Sequence, residues 1–273
     1  MSSRYKLLFK KLSSKKECCF IPFVVLGDPS IDISIKIIDI LVKNGADALE
    51  LGMPFSDPIA DGLTIQKAHL RALYNKVSIK KCFNIIENIR NKYTNIPIGI
   101  LTYANLVYHK KISIFYSYCS SIGIDSILIA DLPIEESNFF KKVADKYQIS
   151  SIFICPPDAK TSLVKKIIKV NKEYTYLVSR PGVTGIQPLY SQKLLFKTIQ
   201  KLKKYKSSPI IQGFGIYKSY QIKEILKNGI QGIICGSRIV HIIEKNIQNN
   251  TKMFIKIKKV IKKFKNETKN ICV

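Results

Sequence analysis

The chain alternates short, almost unbroken apolar runs with longer amphipathic segments, and it does so eight times. The runs are FIPFVVLG (20–27), DALELG (47–52), IPIGILTY (96–103), SILIAD (126–131), SSIFIC (150–155), YTYLVS (174–179), PIIQGF (209–214) and GIICGS (232–237). Continuous Ile, Val and Leu, rather than a strict in–out alternation, marks strands covered on both faces, as in parallel sheets. Helical spacing fills the intervals 31–44, 79–92, 135–147, 160–170, 191–205 and 218–228, several opened by turn or cap signals such as Asp28-Pro29-Ser30 and Pro156-Pro157-Asp158. Eight strand–helix units in 273 residues predict a (β/α)8 barrel of α/β class. An extra N-terminal helix (3–14) and an extra C-terminal helix (252–265) flank it. An open doubly wound sheet fits less well, because it has fewer strands and no GxGxxG follows the first one. With no linker and no break in composition, residues 1–273 are expected to form a single domain.

Composition excludes several classes. Hydrophobic content of 46% is too high for a disordered chain. No apolar stretch reaches the roughly 18 residues of a membrane span. The N-terminal MSSRYKLLFKKLSSKK lacks the apolar core of a secretory signal, so a cytoplasmic protein is expected. Seven cysteines, with no CxxC pair, give neither a disulfide framework nor zinc spacing, and a reducing compartment follows. The net charge is +26. Its lysine doublets are scattered over the outer helices and accompany Ile, Asn and Tyr, which is compositional drift rather than a nucleic-acid face; neither nucleic acid nor membrane is expected as a partner. The segment 250–273 is the most basic, with eight Lys and one Glu, but Met253, Phe254, Ile257, Val260, Ile261 and Phe264 form a helical stripe that can pack on the barrel.

In such a barrel, chemistry sits where strands end and βα loops begin. Glu50 stands inside the second apolar run. A carboxyl there is costly unless paired, hydrogen-bonded or protonated, and desolvation tunes it toward proton transfer near neutral pH. The structural alternative is an ion pair with Arg180 or Arg238, the cations nearest to strand ends. Asp57 and Asp61 follow in the next loop. Each is also an ordinary turn residue, and Asp61 could cap the helix near 63–73. With Glu50, Asp61 makes a pair of carboxylates able to divide acid and base work. Glycine turns end the seventh and eighth strands, Gly213-Phe214-Gly215 and Gly236-Ser237, where barrels bind phosphate; Gly185 adds a possible backbone donor. The segment Arg180–Gly185 reads as a lid or an ordinary loop. His69, His109 and His241 have no metal spacing and carry no expected role.

These residues fall in segments that resemble the tryptophan synthase alpha chain family. LELGMPFSDPIADGLTIQKAHLRAL (49–73) carries the likeness most specifically. It continues through PFVVLGDP (22–29), PIGILTYANLVY (97–108), DSILIADLPIEES (125–137), FICPP (153–157), YTYLVSRPGVTG (174–185), QGFGI (212–216) and GSRIV (236–240). The resemblance implies retro-aldol cleavage of indole-3-glycerol phosphate to indole and glyceraldehyde 3-phosphate. It implies indole transfer to a beta chain for condensation with serine, within an α2β2 heterotetramer. It implies no cofactor in this chain, with pyridoxal phosphate expected only in the beta chain. Carried over residue by residue, Glu50 matches the catalytic acid and base, and Asp61 the aspartate that holds the indole N–H. Phe23, Leu101, Leu128 and Tyr176 match the indole surroundings. Thr184, Gly185, Gly213, Gly215, Gly236 and Ser237 match substrate-binding positions, the glycines and Ser237 as a phosphate cradle. Pro181 departs from the family's freer lid residue. Other phosphosugar barrels more often use a catalytic Lys at a strand end, which is missing from every run above. A non-catalytic alpha chain kept as an activator is the remaining alternative.

Overall fold

In the computed structural model, residues 3–180, 182 and 192–269 are described below. Helix α1 (Arg4–Ser14) precedes β1 (Cys19–Val25). Then follow α2 (Ile31–Lys43), β2 (Leu49–Gly52), α3 (Leu63–Tyr74), α4 (Ile79–Lys92), β3 (Ile98–Thr102), α5 (Ala104–His109), α6 (Ile112–Ser121) and β4 (Ser126–Ile129). A short 3-10 turn (Ile134–Glu136) leads into α7 (Ser137–Lys146), β5 (Ser150–Ile152), β6 (Ile154–Cys155), α8 (Thr161–Val170) and β7 (Thr175–Val178). The chain finishes with α9 (Gln192–Lys204), β8 (Ile210–Gly213), α10 (Ser219–Lys227), β9 (Gly232–Cys235), α11 (Ser237–Glu244) and α12 (Asn250–Glu267).

The strands lie in the order β5-β4-β3-β2-β1-β9-β8-β7-β6, and every pairing is parallel. β5 and β6 are the two halves of the fifth expected strand, so the chain itself closes the ring at Phe153. The break has a local cause. Phe153 N–H donates to Asn171 Oδ1, and Asn171 Nδ2 donates to Phe153 O, both at 2.8 Å. A side-chain amide thus takes the place of a neighbouring strand at this one residue. The strand segments β1, β2, β3, β4, β7, β8 and β9 are buried at every position, which is why they are mostly apolar; Glu50 of β2 is the one ionisable carboxyl among them.

Both extra helices have barrel-end roles. Tyr5 of α1 is fully buried at the N-terminal end of the strands. Its ring lies 5.4 Å from that of Tyr174, and its hydroxyl is 3.0 Å from Ser126 Oγ. A Cβ at Gly99 would fall 2.7 Å from Ser126 Oγ, so glycine makes the space for this plug. The C-terminal helix packs by the expected stripe: Met253, Ile257, Ile261 and Phe264 are buried. Lys265 anchors its end, with Nζ 2.9 Å from both Asp47 Oδ2 and Glu17 Oε2. The Asp28-Pro29-Ser30 turn does more than expected. Ser30 caps α2, while buried Asp28 accepts two bonds from Arg71 of α3, at 2.7 and 2.9 Å. Cys18 is disulfide-bonded, against the expectation of thiols alone. Cys19, Cys82, Cys119, Cys155 and Cys235 are free and buried. Among the described residues no helix is long and apolar enough to cross a membrane.

Candidate active site

The register of β2 places Glu50 between Phe23 of β1 and Gly99 of β3. Its side chain is 3% exposed, and Oε1 has no hydrogen-bond partner among the described residues. The ion-pair alternative fails there too. Arg238 packs its guanidinium over the Tyr217 ring at 4.6 Å, and no salt bridge reaches Glu50 among the described residues. Burial in apolar surroundings, reinforced by the nearby Asp61 carboxylate, pushes the Glu50 carboxyl from 4.5 up to about 8. A carboxylic acid near neutral pH can both give a proton and take one back.

Asp61 is 4% exposed. It does not cap α3, whose N-cap is Gly62. Instead its Oδ2 accepts from the Tyr103 hydroxyl at 2.7 Å and lies 3.2 Å from His69 Nε2. Burial, with Asp61 beside it, holds the Tyr103 phenol well above its ordinary range, so it stays a donor. Tyr103 stacks on Phe55, with centroids 5.0 Å apart. Asp57 is exposed and pairs with its neighbour Ser56, away from this pair.

Both carboxyls open on a cavity of about 580 Å³, part of it continuous with solvent. Phe23, Leu101 and Tyr176 form its apolar wall together with Ile65, Phe214 and Ile234. Gly215, Gly236 and Ser237 also line it, at the ends of β8 and β9. Gly236 is the N-cap of α11, so the free amides of that helix start at the cavity. Phe214 and Gly215 both have positive φ, 68° and 71°, a conformation that glycine adopts without strain.

Two expected lining residues are placed otherwise. Leu128 is buried in β4, in register with Leu101 and Ile152, and does not line the cavity. Gly213 is also off the wall. A Cβ there would lie 2.5 Å from the Tyr176 hydroxyl, so this glycine makes room for the tyrosine. Gly236 has a similar second duty, since a Cβ would lie 2.7 Å from the Phe23 ring. Thr184, Gly185 and Pro181 lie outside the described residues. His69 and Tyr103 were missed. His69 has no metal spacing, and its eight-residue offset from Asp61 spans Gly62 and nearly two turns of α3, a relation no periodic pattern marks. Tyr103 ends an apolar run, and nothing in that run points it toward Asp61.

Comparison with known proteins agrees with this arrangement. A family model of the tryptophan synthase alpha chain matches residues 9–269. The chain belongs to the tryptophan synthase alpha chain family. The alpha chain of Buchnera aphidicola subsp. Schlechtendalia chinensis is 52% identical over 269 residues, covering 97% of this chain and 98% of that one. A protein structure from Aquifex aeolicus VF5 superposes with a TM-score of 0.89 at 29% identity, covering 98% and 100% of the two chains. A chain of the Pyrococcus furiosus tryptophan synthase complex gives 0.81 at 30% identity, covering 91% and 98%.

Proposed function

We propose that this chain is the alpha subunit of tryptophan synthase and cleaves indole-3-glycerol phosphate to indole and glyceraldehyde 3-phosphate. The observation that carries the proposal is Glu50: buried, unpartnered at Oε1 among the described residues, and raised to about 8 beside Asp61 in an apolar cavity.

The chemistry balances through one carboxyl. Protonated Glu50 delivers its proton to the ring carbon that bears the glycerol chain. Positive charge then develops on the indole nitrogen, and Asp61 stabilises it there. The Glu50 carboxylate removes the proton of the glycerol hydroxyl next to the ring. The carbon–carbon bond breaks, its electron pair returns to the ring, and an aldehyde leaves. Glu50 ends protonated, ready for another turnover. Phe23, Leu101 and Tyr176 exclude water around the ring. Gly236 and Ser237, at the N-terminus of α11, and Gly215, just past β8, suit the phosphate. By the resemblance, Thr184 and Gly185 are further substrate-binding positions.

The subunit works with a beta chain in an α2β2 assembly in the cytoplasm, as one barrel domain spanning 1–273. Ile59 and Leu63 support this docking. Ile59 lies in the β2–α3 loop and Leu63 opens α3, and their exposures of 70% and 75% leave apolar surface open next to Asp61. The test is release of glyceraldehyde 3-phosphate from indole-3-glycerol phosphate, with and without a beta chain. Wild type should cleave, faster with the partner, and Glu50→Gln should lose about 10²–10⁴ in kcat. Wild-type protein that stays inactive with a competent beta chain refutes the proposal.

A further inference from the structure

His69 is fully buried on α3, and no catalytic account of the cavity uses it. Its two ring nitrogens are both engaged, with different elements. Phe55 N–H donates to Nδ1 at 3.2 Å. Nδ1 therefore carries no hydrogen, and the proton of the neutral ring sits on Nε2. Nε2–H then donates to Asp61 Oδ2, also at 3.2 Å. The ring stands edge-on to Tyr103, centroids 6.4 Å apart, and Tyr103 stacks on Phe55. Phe55 belongs to the loop between β2 and α3, which carries both Asp61 and the exposed Ile59.

We propose that His69 is a positioning residue that fixes Asp61 with one nitrogen and the β2–α3 loop at Phe55 with the other, so that loop position and carboxylate orientation are set together. This rests on the retro-aldol reading of the cavity, in which Asp61 faces the indole nitrogen. Oδ2 is taken by Tyr103 and His69, and Oδ1 takes neither of these bonds. A shift of the loop, such as a docking partner would impose, reaches Asp61 through a single rigid ring. A histidine that merely fills space would need neither bond.

Two variants separate the arms. In His69→Asn the side-chain oxygen lies where Nδ1 was and can accept from Phe55, but the residue is too short for Asp61. In His69→Gln the amide nitrogen reaches Asp61, but Phe55 N–H loses its acceptor. Amide exchange at Phe55, followed by NMR without substrate, should accelerate at least about tenfold in His69→Gln and stay within about twofold in His69→Asn. In cleavage assays His69→Asn should lower kcat about tenfold with little change in KM, while His69→Gln should act mainly on KM, about tenfold. Equal exchange in the two variants, or equal losses in kcat and KM, overturns the proposal. A failure of the retro-aldol reading shows separately, as an inactive wild type, and the exchange pattern is read without that activity.

Discussion

Glu50 shows how burying one carboxyl in an apolar barrel costs stability. In the unfolded chain its carboxyl ionises at the ordinary 4.5; in the barrel it does so at about 8. Between these values the folded protein holds a proton that the unfolded chain has released. Stability therefore falls as pH rises from 4.5 to 8, and levels off above. Glu50→Gln removes that slope. Thermal melts should show the variant near wild type at pH 5 and more stable at pH 8, by a few kcal/mol. A gap that does not widen with pH would show that Glu50 ionises normally. Sequence alone made Glu50 legible, because a carboxyl in an apolar run has few explanations. His69 and Tyr103 were not legible, because both point at Asp61 from separate elements, and only the folded loop brings them together. Gly213 is ambiguous for the opposite reason: a glycine at a strand end suits an anion or a bulky neighbour equally, and the structure shows the neighbour, Tyr176.

At the scale of elements, the strand pattern gave the eight barrel positions, and the helix stripe of 252–265 placed α12. The split of the fifth strand was invisible. SSIFIC is uniformly apolar, and the cause of its break, Asn171, lies beyond the next helix, as its C-cap. Asn171 satisfies both polar groups of Phe153 where the ladder is interrupted. Asn171→Leu leaves a buried N–H and a buried C=O unpaired, which should cost about 2–5 kcal/mol in urea unfolding. Asn171→Asp keeps the acceptor alone and should fall between the two. A wild-type midpoint in Asn171→Leu would mean that the strand junction does not depend on this amide.

At the scale of the whole molecule, a charge of +26 sits on a barrel whose described ion pairs are few. Several of these, Asp28–Arg71, Asp125–Arg90 and the Asp47–Lys265–Glu17 cluster, are largely buried and poorly reached by salt. The unpaired lysines repel one another across the surface. Raising a monovalent salt from about 50 to about 500 mM should screen that repulsion and raise Tm. A Tm that falls with salt would mean that surface attractions outweigh it. None of this charge bears on the barrel mouth as directly as one proton does. The central claim is that Glu50 is a protonated acid at neutral pH, waiting inside an apolar cavity. Carbon-13 NMR of carboxyl-labelled glutamate, with Glu50→Gln for assignment, reads that proton without substrate. The account predicts a Glu50 resonance that titrates near pH 8; a resonance that titrates near 4.5 would contradict it.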